Sequence, residues 1–107
     1  MQFLTIYTPA QQGQPDEAQM AEMGTFVEEM YRAGVVLATG GLVPSARARI
    51  ANGEISIKQE PQSGQDTKGF ALLQVDSQEQ LDDLIRRFLA IAGDGESEIF
   101  RVTGPED

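Results

Sequence analysis

The sequence predicts a single α+β domain in which two amphipathic helices alternate with strands. Two stretches carry apolar residues at helical spacing behind a capping residue, and the segments around them have the length and composition of strands. One Asn-Gly pair within an alternating stretch indicates a hairpin. The length of 107 residues fits one domain. We place this domain at residues 1–103, followed by a short tail at 104–107.

The first strand is expected at residues 2–8, where the side chains alternate between two partly covered faces. The helix that follows begins after Asp16, an N-cap residue with Gln19 in capping-box position, and ends before Gly34. Its apolar stripe contains Met20, Met23, Phe26, Val27, Met30 and Tyr31. This spacing predicts that the three helical methionines belong to the core.

A strand over residues 35–42 and a hairpin over residues 46–58 are predicted next. The apolar run of the strand ends at two adjacent glycines, which suit a bulge or a close backbone approach. The pair Asn52-Gly53 supplies the positive φ angles of a two-residue turn, and this turn sets the hairpin register. In that register one face of the hairpin carries Ala48, Ile50, Ile55 and Ile57.

The remaining elements are a polar loop at residues 59–69, a strand at 70–75, a second helix and a closing strand at 98–103. Ser77 caps the second helix, with Gln80 at the third helical position. The apolar stripe of this helix contains Leu81, Leu84, Ile85, Phe88 and Leu89. Without the hairpin, the order of elements is β-α-β-β-α-β, which is the ferredoxin-like plan.

A ferredoxin-like sheet carries both helices on one face, so its other face needs a different cover. Phe3, Tyr7, Phe70 and Leu72, or the residues that alternate with them, are expected on this uncovered face. Back-to-back homodimerisation through the sheet face would close a cavity between two sheets. The alternative is that the hairpin folds over the same face within one chain.

Three cations share the second face of the predicted hairpin. The register places Arg47 opposite Lys58, with Arg49 on the same side. One interpretation is a binding site for a carboxylate or phosphate ligand, because arginine offers two parallel donors to such a group. The other is a hairpin edge whose exposed charges prevent aggregation. The sequence leaves both open.

Composition excludes several classes of function. The chain has 17 acidic and 8 basic residues, so its net charge of −9 disfavours nucleic acid and anionic membranes as partners. It contains no histidine and no cysteine, which removes imidazole catalysis, disulfides and the usual zinc and iron–sulfur ligands. We therefore expect no metal and no cofactor. The lack of cysteine and of a signal-peptide pattern fits a cytoplasmic location.

Several segments together resemble the YCII-related family, in particular its DGPF-motif branch. These are FLTIYTP, MYRAGVVLATGGLVPSARARI, NGEISI and GFALLQVDSQEQLDDLIRRF, which cover nearly the whole chain. The resemblance implies the fold of a dimeric α/β barrel. It also implies kinship with enzymes that act on small ring or lactone compounds through a His and an Asp. This chain has no His, and residues 58–62 (KQEPQ) stand where Asp-Gly-Pro-Phe is expected, with only Pro61 retained.

Two functions remain open at this stage. The first is a non-catalytic binding or accessory protein for a small ligand, which could be anionic. Tyr7 would be a hydrogen-bonding group in the cavity. The second is a lyase- or isomerase-type enzyme for a small organic acid or lactone. Its base would be Glu60 or Asp66, and Arg47 or Arg49 would anchor the substrate.

Overall fold

A computed structural model describes residues 1–10, 16–59 and 68–104 of the chain. The elements, in chain order, are β1 (Gln2–Pro9), α1 (Glu17–Arg32), β2 (Val36–Leu42), β3 (Ala46–Ala51), β4 (Glu54–Gln59), β5 (Lys68–Gln74), α2 (Gln78–Ala92) and β6 (Gly95–Val102). Every predicted strand and helix is present. Neither helix is long and apolar enough to cross a membrane, as judged over these residues.

Four strands form one antiparallel sheet in the order β2-β5-β1-β6. The two central strands are the first and third of the β-α-β-β-α-β series, and both helices pack on one face of the sheet. This arrangement is the ferredoxin-like fold that the sequence predicts. A register shift in β2 between Val36 and Ala38 marks a bulge, which ends two residues before Gly40, the first glycine of the pair.

The helix ends follow the predicted capping chemistry, with one change. Asp16 accepts a hydrogen bond from the backbone N–H of Gln19 at 2.7 Å, and Gly34 follows the helix with φ of 75°. The Gln19 side chain does not complete a capping box. Its Nε2 lies 2.9 Å from the carbonyl oxygens of both Ile91 and Ala92, so it ties the start of α1 to the end of α2.

The core lies between the helices and the sheet. Its buried residues are Phe3, Phe26, Met30, Val35, Val36, Leu73, Val75, Leu81 and Leu84. Met20 is 60% exposed, so the prediction that all three helical methionines are core residues is wrong at that position. Met20 lies on an exposed side of α1, whereas Met23 packs on the core and Met30 is buried within it.

The uncovered sheet face differs from the predicted set of residues. Phe3 is buried under the helices, and Tyr7 packs against Phe88 of α2, so neither lies on that face. Leu4 pairs with Leu72, and Ile6 pairs with Phe70. Paired residues share a face, so these four form the centre of the open face. Phe100 pairs with Leu4 from the other side and is 46% exposed.

The hairpin has the predicted register but forms a two-stranded sheet of its own. Arg47 faces Lys58 and Ile50 faces Ile55, and the turn residues Asn52 and Gly53 have φ of 53° and 79°. Every residue of β3 and β4 is exposed. The hairpin therefore does not cover the open face of its own chain, and that alternative is wrong.

The Gln19 side chain joins two helix ends, and its loss should destabilise the fold. We expect Gln19→Ala to lower the free energy of unfolding by about 1–2 kcal/mol, because two terminal carbonyl groups of α2 lose a partner. Urea denaturation measures this change. Gln78→Ala is the control, since its bond to Asp82 lies on the exposed surface and its loss should cost under about 0.5 kcal/mol. Equal losses in the two variants would contradict the role of Gln19.

Candidate functional site

The structure brings the three predicted cations together on one side of the hairpin. Arg47 faces Lys58 across the strands, and Arg49 lies two positions along β3 on the same side. All three residues are exposed. They take no part in lining the cavity described below. Anion binding at this surface remains a prediction.

The two candidate catalytic carboxylates, Glu60 and Asp66, lie outside the described residues. Their predicted role as a base therefore remains a prediction. The described chain resumes at Lys68, and its next residue, Gly69, lines the cavity.

Tyr7 connects β1 to the turn between α2 and β6. Its ring meets the Phe88 ring edge-on at 5.3 Å between centroids. Its hydroxyl lies 2.9 Å from the carbonyl oxygen of Gly93 and 3.0 Å from that of Asp94, and donates its proton to them. Burial raises the pKa of Tyr7, and the negative charge of Asp94 raises it further. The phenol is therefore held protonated and is a donor rather than a base.

Gly95 sits directly against Tyr7. A Cβ atom at this position would lie 2.6 Å from the Tyr7 hydroxyl oxygen and 2.6 Å from the carbonyl oxygen of Thr8. Both distances are shorter than any van der Waals contact allows, so glycine is required where β6 begins. The close approach fixes the Tyr7 ring between β6 and α2.

A cavity of about 140 Å³ lies between the sheet and the two helices. Its walls come from β1, β2, β5, α1 and α2, and they are almost entirely apolar. The lining residues are Thr5, Tyr7, Met23, Phe26, Val27, Val36, Thr39, Gly40, Gly69, Phe70, Ala71, Leu73, Leu84, Ile85 and Phe88. None of them is Asp, Glu, Lys or Arg.

At one end of the sheet the helix-facing side chains fill the space beneath the helices. Phe3 on β1 pairs with Leu73 on β5, and Leu73 pairs with Val36 on β2. All three are buried, and Leu81 of α2 is fully buried with them. Large side chains in consecutive strands thus close this end of the cavity.

The next rows of the same face carry small side chains. Thr5 pairs with Ala71, and Ala71 pairs with Thr39. In the following row Gly69 lies between Tyr7 and Gly41. An alanine and two glycines beneath the helices leave volume that the neighbouring rows would fill, so the strand register creates the cavity.

Thr5 places a hydroxyl group in this apolar space. It is 7% exposed and is the buried polar residue of the part of the chain that the structure describes. Its Oγ1 lies 3.5 Å from the carbonyl oxygen of Ala71, well beyond the usual O–H···O distance of about 2.8 Å. Thr39, in contrast, donates to the carbonyl oxygen of Phe70 at 2.7 Å. The Thr5 hydroxyl therefore retains most of its capacity to bond a guest.

This cavity is not apparent from the sequence alone. The detectable signal is the alternation GFALL in β5, which puts Gly69 and Ala71 on one face and Phe70 and Leu72 on the other. Thr5 occupies the matching small position in β1. The pattern becomes informative only when the pairing of β1 with β5 is known, because the two rows are separate in the sequence.

Comparison with known proteins gives the fold alone. No family model matches the chain, and no curated protein matches it. Among solved structures it is similar to 5-chloro-2-hydroxyhydroquinone dehydrochlorinase (TftG) from Burkholderia phenoliruptrix AC1100, in complex with 2,5-dihydroxybenzoquinone. The TM-score is 0.54 and the identity 12%, over 99% of this chain and 97% of that one.

The divalent cation tolerance protein CutA1 of Thermus thermophilus matches with a TM-score of 0.48 and 11% identity, over 97% of this chain and 86% of that one. CutA of Xylella fastidiosa matches with a TM-score of 0.46 and 13% identity, over 96% and 85%. The Burkholderia structure, the one of the three with a TM-score above 0.5, shares the ferredoxin-like fold with this chain, and at 12% identity the likeness assigns no activity.

The contact between Gly95 and Tyr7 should make this glycine irreplaceable. We expect Gly95→Ala to lower the free energy of unfolding by about 1–3 kcal/mol, because the added methyl group forces Tyr7 or the β1 backbone to move. Gly24→Ala is a control of opposite sign. Gly24 lies within α1 with open space around its Cα, so alanine should stabilise the helix by about 0.5–1 kcal/mol. Thermal or urea unfolding of both variants tests the contact, and a neutral Gly95→Ala would contradict it.

The raised pKa of Tyr7 predicts a loss of stability at alkaline pH. The unfolded chain releases this proton near pH 10, whereas the folded chain holds it to higher pH. Stability from Tyr7 is thus complete below pH 10 and falls as the pH rises from there through the folded pKa. Urea unfolding of wild type and Tyr7→Phe between about pH 9 and 11 should show the steeper fall in wild type. Parallel curves would show that Tyr7 contributes nothing to this dependence.

Proposed function

We propose that this chain is a homodimeric, non-catalytic binding protein that holds one small, neutral, single-ring molecule in the cavity between its sheet and helices. The observation that carries the proposal is the apolar cavity of about 140 Å³ with the buried, poorly bonded Thr5 hydroxyl in its wall. An apolar pocket with a few convergent polar groups is the usual form of a small-molecule site.

The volume of the cavity supports a ligand with one six-membered ring. An engineered apolar cavity of about 150 Å³ in another protein holds a single benzene molecule. Phe26 and Phe88 of the two helices lie in the wall together with aliphatic side chains. Aromatic walls favour edge-to-face or offset contacts with an aromatic guest.

The polarity of the wall supports a neutral ligand that carries a hydroxyl or carbonyl group. Thr5 can donate to such a group or accept from it at the floor of the cavity. A carboxylate or phosphate entering the same space would lose its water without meeting a cation, because the described lining has none. Of the ligands that the sequence left open, the cavity therefore favours a neutral one over an anionic one.

The open sheet face supports the homodimer. Leu4, Ile6, Phe70 and Leu72 form a contiguous apolar surface across β1 and β5, and Phe100 extends it onto β6. A face of this kind calls for a partner, and a second copy of the chain supplies an identical apolar surface through two-fold symmetry. Packing two open faces together would bury both without any further element.

The resemblance to the YCII-related family supports a ring compound as ligand, and the Burkholderia protein of the same fold has a single-ring quinone in its complex. The absence of His, together with residues 58–62 in place of the Asp-Gly-Pro-Phe motif, supports binding without turnover. The alternative, a lyase or isomerase with Asp66 as base, is favoured by one feature. Asp66 lies three residues before Gly69 of the cavity wall along the chain.

The proposal can be tested by titrating the protein with benzene, phenol and benzoate and measuring the changes in its NMR chemical shifts. We expect phenol to bind about 5-fold more tightly than benzene through one hydrogen bond to Thr5. Benzoate should bind least. Thr5→Val keeps the shape of the side chain, so it should reduce phenol affinity to that of benzene and leave benzene affinity unchanged. Thr25→Val, on an exposed position of α1, is the matched control and should bind like wild type.

Ala71→Leu should abolish binding of all three probes, since its larger side chain occupies the cavity. Probe recovered unchanged after incubation is the expected outcome. Conversion of a probe that stops in Asp66→Asn would favour the enzyme instead. Binding that survives Ala71→Leu, or benzoate as the tightest probe, would contradict the proposed site.

A further inference from the structure

The hairpin of residues 46–59, here called the arm, exposes an apolar face that its own chain does not cover. Ile50, Ile55 and Ile57 are 67%, 73% and 69% exposed, and the register places them with Ala48 on one side of the strands. No helix or other strand among the described residues joins the arm in a sheet. Three exposed isoleucines within two short strands form a concentrated apolar patch.

A two-stranded hairpin without a packing partner is marginally stable in water. The arm has a good turn at Asn52-Gly53 and β-branched residues along its apolar face, so its local sequence favours the hairpin. These features hold the strands together locally but leave the isoleucines in water. The isoleucine face of the arm can therefore be buried only against another surface.

The distribution of charge points to a second copy of this chain as that surface. Residues 46–59 carry three cations and one carboxylate, a net charge of +2. The rest of the chain carries five cations and 16 carboxylates, a net charge of −11. Two acidic bodies repel each other as they approach, and a basic arm that reaches from one body onto the other offsets part of this repulsion.

The accessible surface of the chain is large enough for such a contact. It amounts to 8016 Å². A compact monomer of 11.6 kDa exposes roughly 5,800 Å², so the excess is about 2,200 Å². A standard interface buries about 800 Å² of each partner. The chain can therefore bury both its open sheet face and the arm and still resemble an ordinary subunit.

We propose that the arm packs its isoleucine face onto a second copy of the chain, as an interaction surface separate from the open sheet face. Its basic side chains then lie around the contact, next to the acidic body of the other protomer. This inference rests on the homodimer of the proposed function and adds the arm to it. Each protomer would both extend an arm and receive one, as two-fold symmetry requires.

Sedimentation analysis of the dimer over a range of concentrations tests the arm. Ile50→Thr with Ile57→Thr keeps β-branched residues in both strands and removes apolar surface from the exposed face. We expect this double variant to weaken dimerisation by about 30-fold or more. Met20→Ser is the matched control. It removes an exposed apolar side chain from α1 and should leave the dimer affinity unchanged.

Hydrogen exchange of the wild-type chain supplies a second measurement. The amides of β3 and β4 that bond across the hairpin should become more protected as the protein concentration rises, because packing of the isoleucine face stabilises the hairpin. This gain should be lost in the double variant. Leu72→Glu tests the sheet face separately and should give a monomer.

If the double variant dimerises as tightly as wild type while Leu72→Glu is monomeric, the proposed contact of the arm is wrong and the sheet-face dimer stands. A wild-type chain that remains monomeric at its highest soluble concentration would overturn both.

Discussion

The antiparallel pairing of β1 with β5 is the interaction on which the rest of the structure depends. It places Phe3 opposite Leu73 and Thr5 opposite Ala71 on the face beneath the helices, and Leu4 opposite Leu72 and Ile6 opposite Phe70 on the other face. A shift of one residue in either strand would exchange the two faces. The buried core, the cavity and the open apolar face are thus consequences of one register. The same pairing brings the Thr5 hydroxyl to an alanine whose small side chain leaves room beside it.

The cavity and the open apolar face lie on opposite sides of one sheet. On the helix side, the row of Phe3 and Leu73 fills the space beneath the helices. The next rows, which contain Ala71 and Gly69 of β5, leave it empty. Tyr7 closes the far end, held by Phe88 and by the carbonyl groups of Gly93 and Asp94. The opposite side carries large apolar residues with no helix above them, and the arm presents a second apolar surface beyond the sheet. The proposed ligand site within one protomer and the two apolar surfaces proposed for a partner are compatible with a small protein that holds a ligand as a dimer.

Much of this fold follows from local sequence, and the site does not. Capping by Asp16 and Ser77 and the two-residue turn at Asn52-Gly53 depend on neighbouring residues, so the helix starts and the hairpin register are predictable from the chain. Alternation in β1 shows that Phe3 and Leu4 lie on opposite faces, but only the packed helices decide which face is buried. The cavity requires two strands 66 residues apart to align their small side chains, and no single segment contains that information. The hairpin cations were found from the sequence because their grouping is local, whereas the function proposed for the chain uses a different surface.

The most direct test of this account is the position of a bound phenol molecule, determined by intermolecular nuclear Overhauser effects in the wild-type protein. If phenol lies in the cavity, its ring protons should give nuclear Overhauser effects to the methyl groups of Ala71 and Thr5 and to the ring of Phe88. Effects to the isoleucines of the arm or to Leu4 and Ile6, with none to Ala71, would contradict the account. They would place the ligand on the open sheet face or the arm instead of between the sheet and the helices.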